Sequence, residues 1–333
     1  MVDAVNNPTD IPFTYRTIFC EGVDQVLFIK KQTACYASEI ASFLNLTLIG
    51  DECKVRGVSG INHPESHTLM FFTSKGNTKF NLDNKHKFEL ENLSNFENIV
   101  LITNEETSRI APCSCIISAN PKLDFAKAMH QFFVELQREG INPHALIDPG
   151  AKIGKNVSIG ANSIIGPDVK IGDNVIICAN VVITGEVDIG DNTVIKSNST
   201  IGSEGFNFVY NNDKPLHFPH IGKIIIGNNV MIGSNTCIER GALDDVIIED
   251  DVKIDDLVQI GHNVCIGEKS LICAGSIIAG SVKMGKGCYV APIVCVDSGI
   301  VVEDDALLGT GSIVRKDVPK GAVMVGNPAR KLR

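Results

Sequence analysis

INPHALIDPGAKIGKNVSIGANSIIGPDVKIG, residues 141–172, decides the fold. Isoleucine stands at 147, 153, 159, 165 and 171, and the spacing of six continues through 177, 183, 189, 195 and 201. It resumes at Ile226, Ile232 and Ile238, slips by four residues, and runs from Ile248 through Ile254, Ile260, Ile266, Ile272, Ile278, Met284, Val290, Val296, Val302 and Leu308 to Val314. A fixed short period is the signature of stacked structural repeats. Two residues before most of these positions stands a small or β-branched residue, such as Val157, Ser163, Val169 and Val175. A step of two is the strand period, so both side chains face the same way. Each hexad therefore reads as a short strand and a corner. Three hexads close a triangular coil of 18 residues, and about eight coils stack in parallel. Each inward isoleucine contributes roughly 1.5–3 kcal/mol by burial. Glycine follows many of them, as at 154, 160, 166 and 172, and is read as the residue at which the corner bends.

The expected class is mainly β: a parallel β-helix with a small N-terminal α/β domain. Residues 1–118 lack the hexad and form that domain. Residues 119–140 are expected as a helical linker. Phe125, Met129, Phe132, Phe133 and Leu136 recur at helical spacing over 122–139, and the helix is expected to pack on the prism. The β-helix occupies 141–319, and 320–333 form a C-terminal tail. Two stretches leave the pattern, 202–225 and 241–247. Loops expelled from a rigid solenoid are where specificity tends to reside.

Composition narrows the function. A net charge of −9 argues against a nucleic-acid binder, which needs a basic face. The start, MVDAVNNPTDIPF, has neither the basic nor the apolar region of a secretion signal. No apolar run approaches the roughly 18 residues of a membrane span. The 11 cysteines are scattered without a CxxC pair, the closest being Cys113 and Cys115. They read as reduced, small core residues of a cytoplasmic protein.

Within QIGHNVCIG, residues 259–267, His262 stands two residues after an inward isoleucine and so points outward at a turn. Coil arithmetic places Gly280 one coil above it. The slip places Arg240 one coil below, with Glu239 and the 241–247 loop on the same edge. An outward imidazole thus has a bare backbone amide on one side and charged groups on the other. Aminolysis of a thioester needs a proton acceptor of near-neutral pKa and a donor aimed at the developing oxyanion.

Several segments carry a resemblance. GSEGFNFVY, HFPHIGKIIIG, IERGALDDVII, KIDDLVQIGHNV and IIAGSVKMG together resemble the UDP-3-O-acylglucosamine N-acyltransferases of lipid A synthesis, within the hexapeptide-repeat acyltransferases. The similarity covers most of residues 36–315. It implies a left-handed β-helix, a homotrimer with active sites between prisms, and transfer of an acyl group from a thioester to the amine of a nucleotide-linked amino sugar. It implies His262 as general base, Asp255 as the residue that orients and charges it, and the Gly280 amide as oxyanion donor. Phe206, His217 and His220 fall at or near positions that cover the acceptor, beside Glu239 and Arg240. Phe71 matches the first residue of a nucleobase clamp, which makes 1–118 the nucleotide-recognition domain. Ser74 and Asn77 replace its other two residues, so uridine and thymidine stay equally open.

The donor is less constrained. Gly299 stands where the family has a second histidine that helps to hold the phosphopantetheine arm. The ending VPKGAVMVGNPARKLR resembles the coenzyme A-dependent sugar acetyltransferases. Lys320, Arg330, Lys331 and Arg333 are read either as contacts for CoA phosphates, alongside Gly280, or as a solvated basic tail. Acyl-CoA is the favoured co-substrate and a 3-hydroxyacyl carrier protein the alternative. Two other classes share such prisms. The γ-type carbonic anhydrases need a histidine cluster on zinc, and His262 has no histidine partner four to six residues away, so no metal is expected. Sugar-nucleotide pyrophosphorylases need a Gly-rich nucleotide domain, and none is seen.

Overall fold

The computed structural model describes residues 28–31, 33–73 and 89–332. They form two compact units, one ending at Gln137 and the other starting at Arg138.

The C-terminal unit is a parallel β-helix with three sheet faces. The first face begins Leu146–Ile147, Ile164–Ile165, Val182–Ile183; the second Lys152–Ile153, Val169–Ile171; the third Ser158–Ile159, Ile176–Ile177. Register follows the isoleucines. Ile147 pairs with Ile165, Ile165 with Ile183, and Ile183 with Ile201. The inward ladder is essentially dry: Ile165, Ile183, Ile201, Ile232, Ile260 and Ile278 are all buried. Small polar residues on the inner positions are satisfied by backbone. Ser163 Oγ donates to the Cys178 carbonyl at 2.8 Å, and Ser276 Oγ to that of Ala291 at 3.2 Å.

The glycines that directly follow the isoleucines, at 154, 160, 166 and 172, do not bend the corners as expected. Asn156, Asn162, Asn174, Asn180, Asn192 and Asn198 carry the positive φ, between 55° and 64°. Asparagine tolerates this left-handed region better than other residues with a side chain. Glycine is required instead by stacking. A Cβ on Gly154 would fall 2.4 Å from the Gly172 carbonyl oxygen one coil away.

The two interruptions shift the register on one corner. Ile201 pairs with Ile238, because the chain leaves the prism and returns. The excursion is an antiparallel hairpin, Phe208–Asn211 with Lys214–His217. Asn212 and Asp213 both have positive φ, 48° and 64°, as a two-residue hairpin turn demands. Ile238 then pairs with Ile260, which absorbs the four-residue slip. At the far end, Val323–Val325 joins the third face in parallel with Leu307–Leu308, and Arg330–Lys331 folds back against it antiparallel. Residues 320–333 thus contribute two strands to the prism.

The N-terminal unit holds a five-stranded sheet in the order Thr47–Ile49, Ser114–Ile117, Val100–Thr103, Thr68–Phe71, Gly57–Val58. Val100, Leu101, Ile102 and Thr103 are all completely buried, as a central parallel strand covered on both faces requires. The helix expected over 122–139 is shorter. It runs Pro121–Ala128, started by Asn120 capping the Leu123 amide, and continues as a π-helical turn over Met129–Phe133. Val134–Leu136 is then drawn into a strand against Phe28–Lys30. Phe125, Ala128, Phe132 and Phe133 pack into the core of this unit, with Ile40, Leu69 and Ile102. That corrects the expectation that this apolar face serves the prism.

Candidate active site

His262 lies on the corner after the strand Gln259–Ile260, with its backbone amide donating to Glu239 Oε2 at 3.1 Å. Its Nδ1 stands 2.7 Å from Asn263 Oδ1. The orientation of that amide is fixed from the other side. Ala242 N–H donates to Asn263 Oδ1 at 3.1 Å, and Asn263 Nδ2 donates to the Asp244 carbonyl at 3.0 Å. Oδ1 is therefore an acceptor, and the proton of a neutral His262 sits on Nδ1. Nε2 keeps its lone pair.

That lone pair faces the next coil. Ser281 N–H donates to the His262 carbonyl at 2.8 Å, which stacks the two corners. A Cβ on Gly280 would lie 2.6 Å from His262 Nε2, so only glycine leaves the imidazole its place. Gly280 is buried, and among the described residues its amide donates to no protein acceptor.

Glu239 is half-buried beneath the ring. Its Oε1 accepts from Gln259 Nε2 at 2.9 Å, and burial raises its pKa above the usual carboxylate range. Arg240 donates from Nε to the Gly222 carbonyl at 3.0 Å and from its backbone amide to Ser203 at 2.9 Å, tying the hairpin excursion to the prism at both ends. The hairpin brings a run of rings to the corner. Phe206 meets Phe208 at 5.0 Å between centroids, Phe208 meets His217 at 5.1 Å, His217 stacks on His220 at 5.7 Å, and His220 meets His262 edge-on at 5.3 Å. Phe206 is 87% exposed. Gly205 makes the closure possible: a Cβ there would lie 2.6 Å from Glu239 Oε2 and 3.0 Å from His220 Nε2. Burial, chiefly, holds the His220 pKa below the ordinary imidazole range.

His262, Gly280, Glu239, Arg240, Phe206, His217 and His220 thus share one corner. Asp255 does not join them. It follows the strand Lys253–Ile254 on the third face, one corner earlier, where its carboxylate accepts from the Asp256 amide at 2.9 Å and the Ala274 amide at 3.2 Å. Within the chain, Asn263 has the orienting place that the resemblance implied for Asp255. Asn263 also carries a positive φ of 60°, so the residue that turns the corner also fixes the imidazole. Phe71 is half-buried in the N-terminal unit and packs against Phe125 at 4.9 Å between centroids. Ser74 and Asn77 lie outside the described residues.

The basic end is only partly available. Lys320 Nζ pairs with Asp304 at 3.2 Å and Asp305 at 3.9 Å. Arg330 and Lys331 are exposed, and Arg333 lies outside the described residues. Arg315, Lys316, Met324, Pro328, Ala329 and Arg330 line a recess of about 300 Å³. Among the described residues, Glu204, His217 and His220 form one cluster of metal-ligating type, bringing a ligand atom each within 4.8 Å of one another.

The bacterial transferase hexapeptide model matches residues 150–185, 168–203 and 245–280, and the hexapeptide repeat of succinyl-transferase matches 223–255. The matched residues lie in the prism, whose coils are similar to the transferase hexapeptide repeat. It is 29% identical over 307 residues to the UDP-3-O-acylglucosamine N-acyltransferase of Coxiella burnetii, covering 86% of each chain. Among solved structures, LpxA from Acinetobacter baumannii shares 27% identity with a TM-score of 0.51, over 58% of this chain and 73% of that one. UDP-N-acetylglucosamine acyltransferase from Campylobacter jejuni shares the fold, with a TM-score of 0.53 at 24% identity, over 57% of this chain and 73% of that one. The relatives are acyltransferases. Among the described residues no helix is long and apolar enough to cross a membrane.

Proposed function

We propose that this protein is an N-acyltransferase that moves an acyl group from a thioester to the amine of a nucleotide-linked amino sugar. The observation that carries the reading is His262. Its Nδ1 proton is pinned by Asn263, and its Nε2 lone pair lies under the Gly280 backbone. The amine attacks the thioester carbonyl, and Nε2 removes the proton that the nitrogen must lose. The Gly280 amide, buried and without a protein acceptor among the described residues, stabilises the tetrahedral oxyanion. Collapse expels the thiolate, which takes the proton back from the imidazolium. Glu239, beneath the ring, favours the imidazolium while it exists. Phe206, His217, His220 and Arg240 form the acceptor side, and Phe71 the nucleobase contact. The Coxiella relative, an N-acyltransferase of a UDP-linked sugar, supports the acceptor class.

For the donor, acyl-CoA is the favoured reading. Lys316 is exposed on the same corner as His262, three coils along, which is about 14 Å at one strand spacing per coil. Arg330, beside it in the recess, adds a second cation for CoA phosphates. Lys320 is withdrawn from that role by its carboxylate partners. The alternative donor is a 3-hydroxyacyl carrier protein on a UDP-3-O-acylglucosamine acceptor, the substrate in the relative's name. A homotrimer would cover the outward Ile164 and Ile277 of the first face, 40% and 48% exposed in the single chain. The deciding assay presents the purified protein with acetyl-CoA, longer acyl-CoAs and acyl carrier protein thioesters against UDP- and dTDP-amino sugars. Amide formation with one donor class identifies it. Thioester hydrolysis without any amide product excludes the reading.

A further inference from the structure

The structure assigns a divalent transition-metal site to Glu204, His217 and His220, at the base of the hairpin that covers His262. Glu204 precedes the hairpin, His217 ends its second strand, and His220 follows three residues later. A metal bound there would cross-link its two ends.

Three observations point to a cation. His217 Nδ1 stands 3.2 Å from Glu204 Oε2. Two donors held at about 2.0–2.1 Å by one tetrahedral zinc are roughly 3.3 Å apart, so the pair is already spaced as ligands. On its far side, His217 Nε2 is 3.3 Å from the Gly205 carbonyl oxygen. Carbonyl and carboxylate both only accept, and a neutral imidazole has one N–H, so it can serve only one of them. With the proton on Nε2 toward the carbonyl, the Nδ1 lone pair faces the carboxylate, and a cation between them relieves that clash. A backbone carbonyl on the second nitrogen is also the usual outer support of a ligating histidine.

His220 separates a metal from a mere proton. It is 2% exposed, and neither ring nitrogen has a partner in good hydrogen-bond geometry among the described residues, the Phe218 backbone being at most a poorly aligned neighbour of one of them. A buried polar side chain is seldom left without any partner. A protonated His217 would satisfy Glu204 and leave His220 stranded, whereas a shared ion engages all three. The two imidazoles are nearly parallel, 20° between planes. An anion such as a phosphate would also suit two histidines, but Glu204 repels it. Two nitrogens and one carboxylate oxygen favour zinc, or cobalt, nickel and copper, over magnesium or calcium. Three protein ligands leave a fourth position open, and the His220 ring is 5.3 Å from that of His262, so a ligand there reaches the same corner.

The test uses the full chain, stripped with a chelator and titrated with Co²⁺ and Zn²⁺. The readouts are the visible d–d absorption of cobalt and the zinc retained after desalting. One equivalent per chain, binding at micromolar concentration or tighter, is expected. His217→Ala, His220→Ala and Glu204→Gln should each weaken it by at least about 100-fold, since even outer-shell changes cost about 10–100-fold. His262→Ala, and His144→Ala on the exposed surface, should retain the equivalent. Circular dichroism reports whether each variant folds; the half-exposed Glu204→Gln serves if His220→Ala does not. No stoichiometric metal on the folded chain, or binding unchanged in Glu204→Gln and His217→Ala, overturns the assignment.

Discussion

Asn263 Oδ1 lies 2.7 Å from His262 Nδ1, and it is held there by the Ala242 amide and the Asp244 carbonyl. One side chain therefore sets the tautomer, the ring plane and the turn of the corner. Asn263→Gly separates these roles, because glycine accepts the positive φ of 60° and removes the hydrogen bonds. The variant should stay folded while kcat falls by roughly 10- to 100-fold, a part of the 10²–10⁴-fold worth of a general base. Steady-state kinetics beside a thermal melt would check it; unchanged kcat would mean that the tautomer is set elsewhere.

Asp255 gives the contrasting expectation. It sits one corner away and binds the Asp256 and Ala274 amides. If catalysis is confined to the groups on the His262 corner, Asp255→Asn affects kcat less than Asn263→Gly. A larger effect of Asp255→Asn would show that a second copy of the chain brings its Asp255 to this imidazole.

Gly280→Ala tests the stacked glycine. The added methyl falls 2.6 Å from His262 Nε2, so the ring must leave its position. Activity should drop at least as far as in Asn263→Gly. Gly154→Ala, far from the corner, meets the Gly172 backbone at 2.4 Å and should instead destabilise the prism, by about 1–3 kcal/mol as overpacking does, with kcat of the folded fraction unchanged. Paired melts and kinetics would separate the two.

Asp304 predicts an acid-sensitive coil. It accepts from the Lys286 amide at 2.9 Å and pairs with Lys320, and these interactions lower its pKa, the amide bond most. Its folded pKa lies below the unfolded one, so its contribution is complete above the unfolded value. It fades as pH falls through the folded value. Asp304→Asn should therefore lower the melting temperature at neutral pH, and the gap to the parent should close in strong acid. A gap independent of pH would show that the charge contributes nothing.

The prism is legible in the sequence because each coil must place an aliphatic residue, most often β-branched, at the same three inward points. Ile147, Ile165 and Ile183 announce one face by their spacing alone. The meeting of His262 with Gly280, Glu239 and Arg240 is legible for the same reason, since coil arithmetic gives height along the axis. It does not give direction at a left-handed corner residue, so Asn263 escapes it although it adjoins His262. The hexad likewise cannot show that Asn156 bends while Gly154 only makes room, because the two share one turn. The phenylalanines at 125, 132 and 133 have helical spacing, yet the spacing does not say which core they enter. Glu204 and His217 are 13 residues apart and meet only through the hairpin turn at Asn212 and Asp213, which no periodic signal marks.

The most direct test of acyl transfer at this corner is product formation by the parent and by His262→Ala under one saturating pair of substrates. Mass spectrometry of the sugar nucleotide, with a hydroxylamine step to tell amide from ester, reads the outcome. An alkali-stable N-acyl product is expected, its rate falling roughly 10²–10⁴-fold in the variant with the fold retained. An ester product, or an N-acyl product formed at the parent rate by His262→Ala, would rule out general-base aminolysis at this corner.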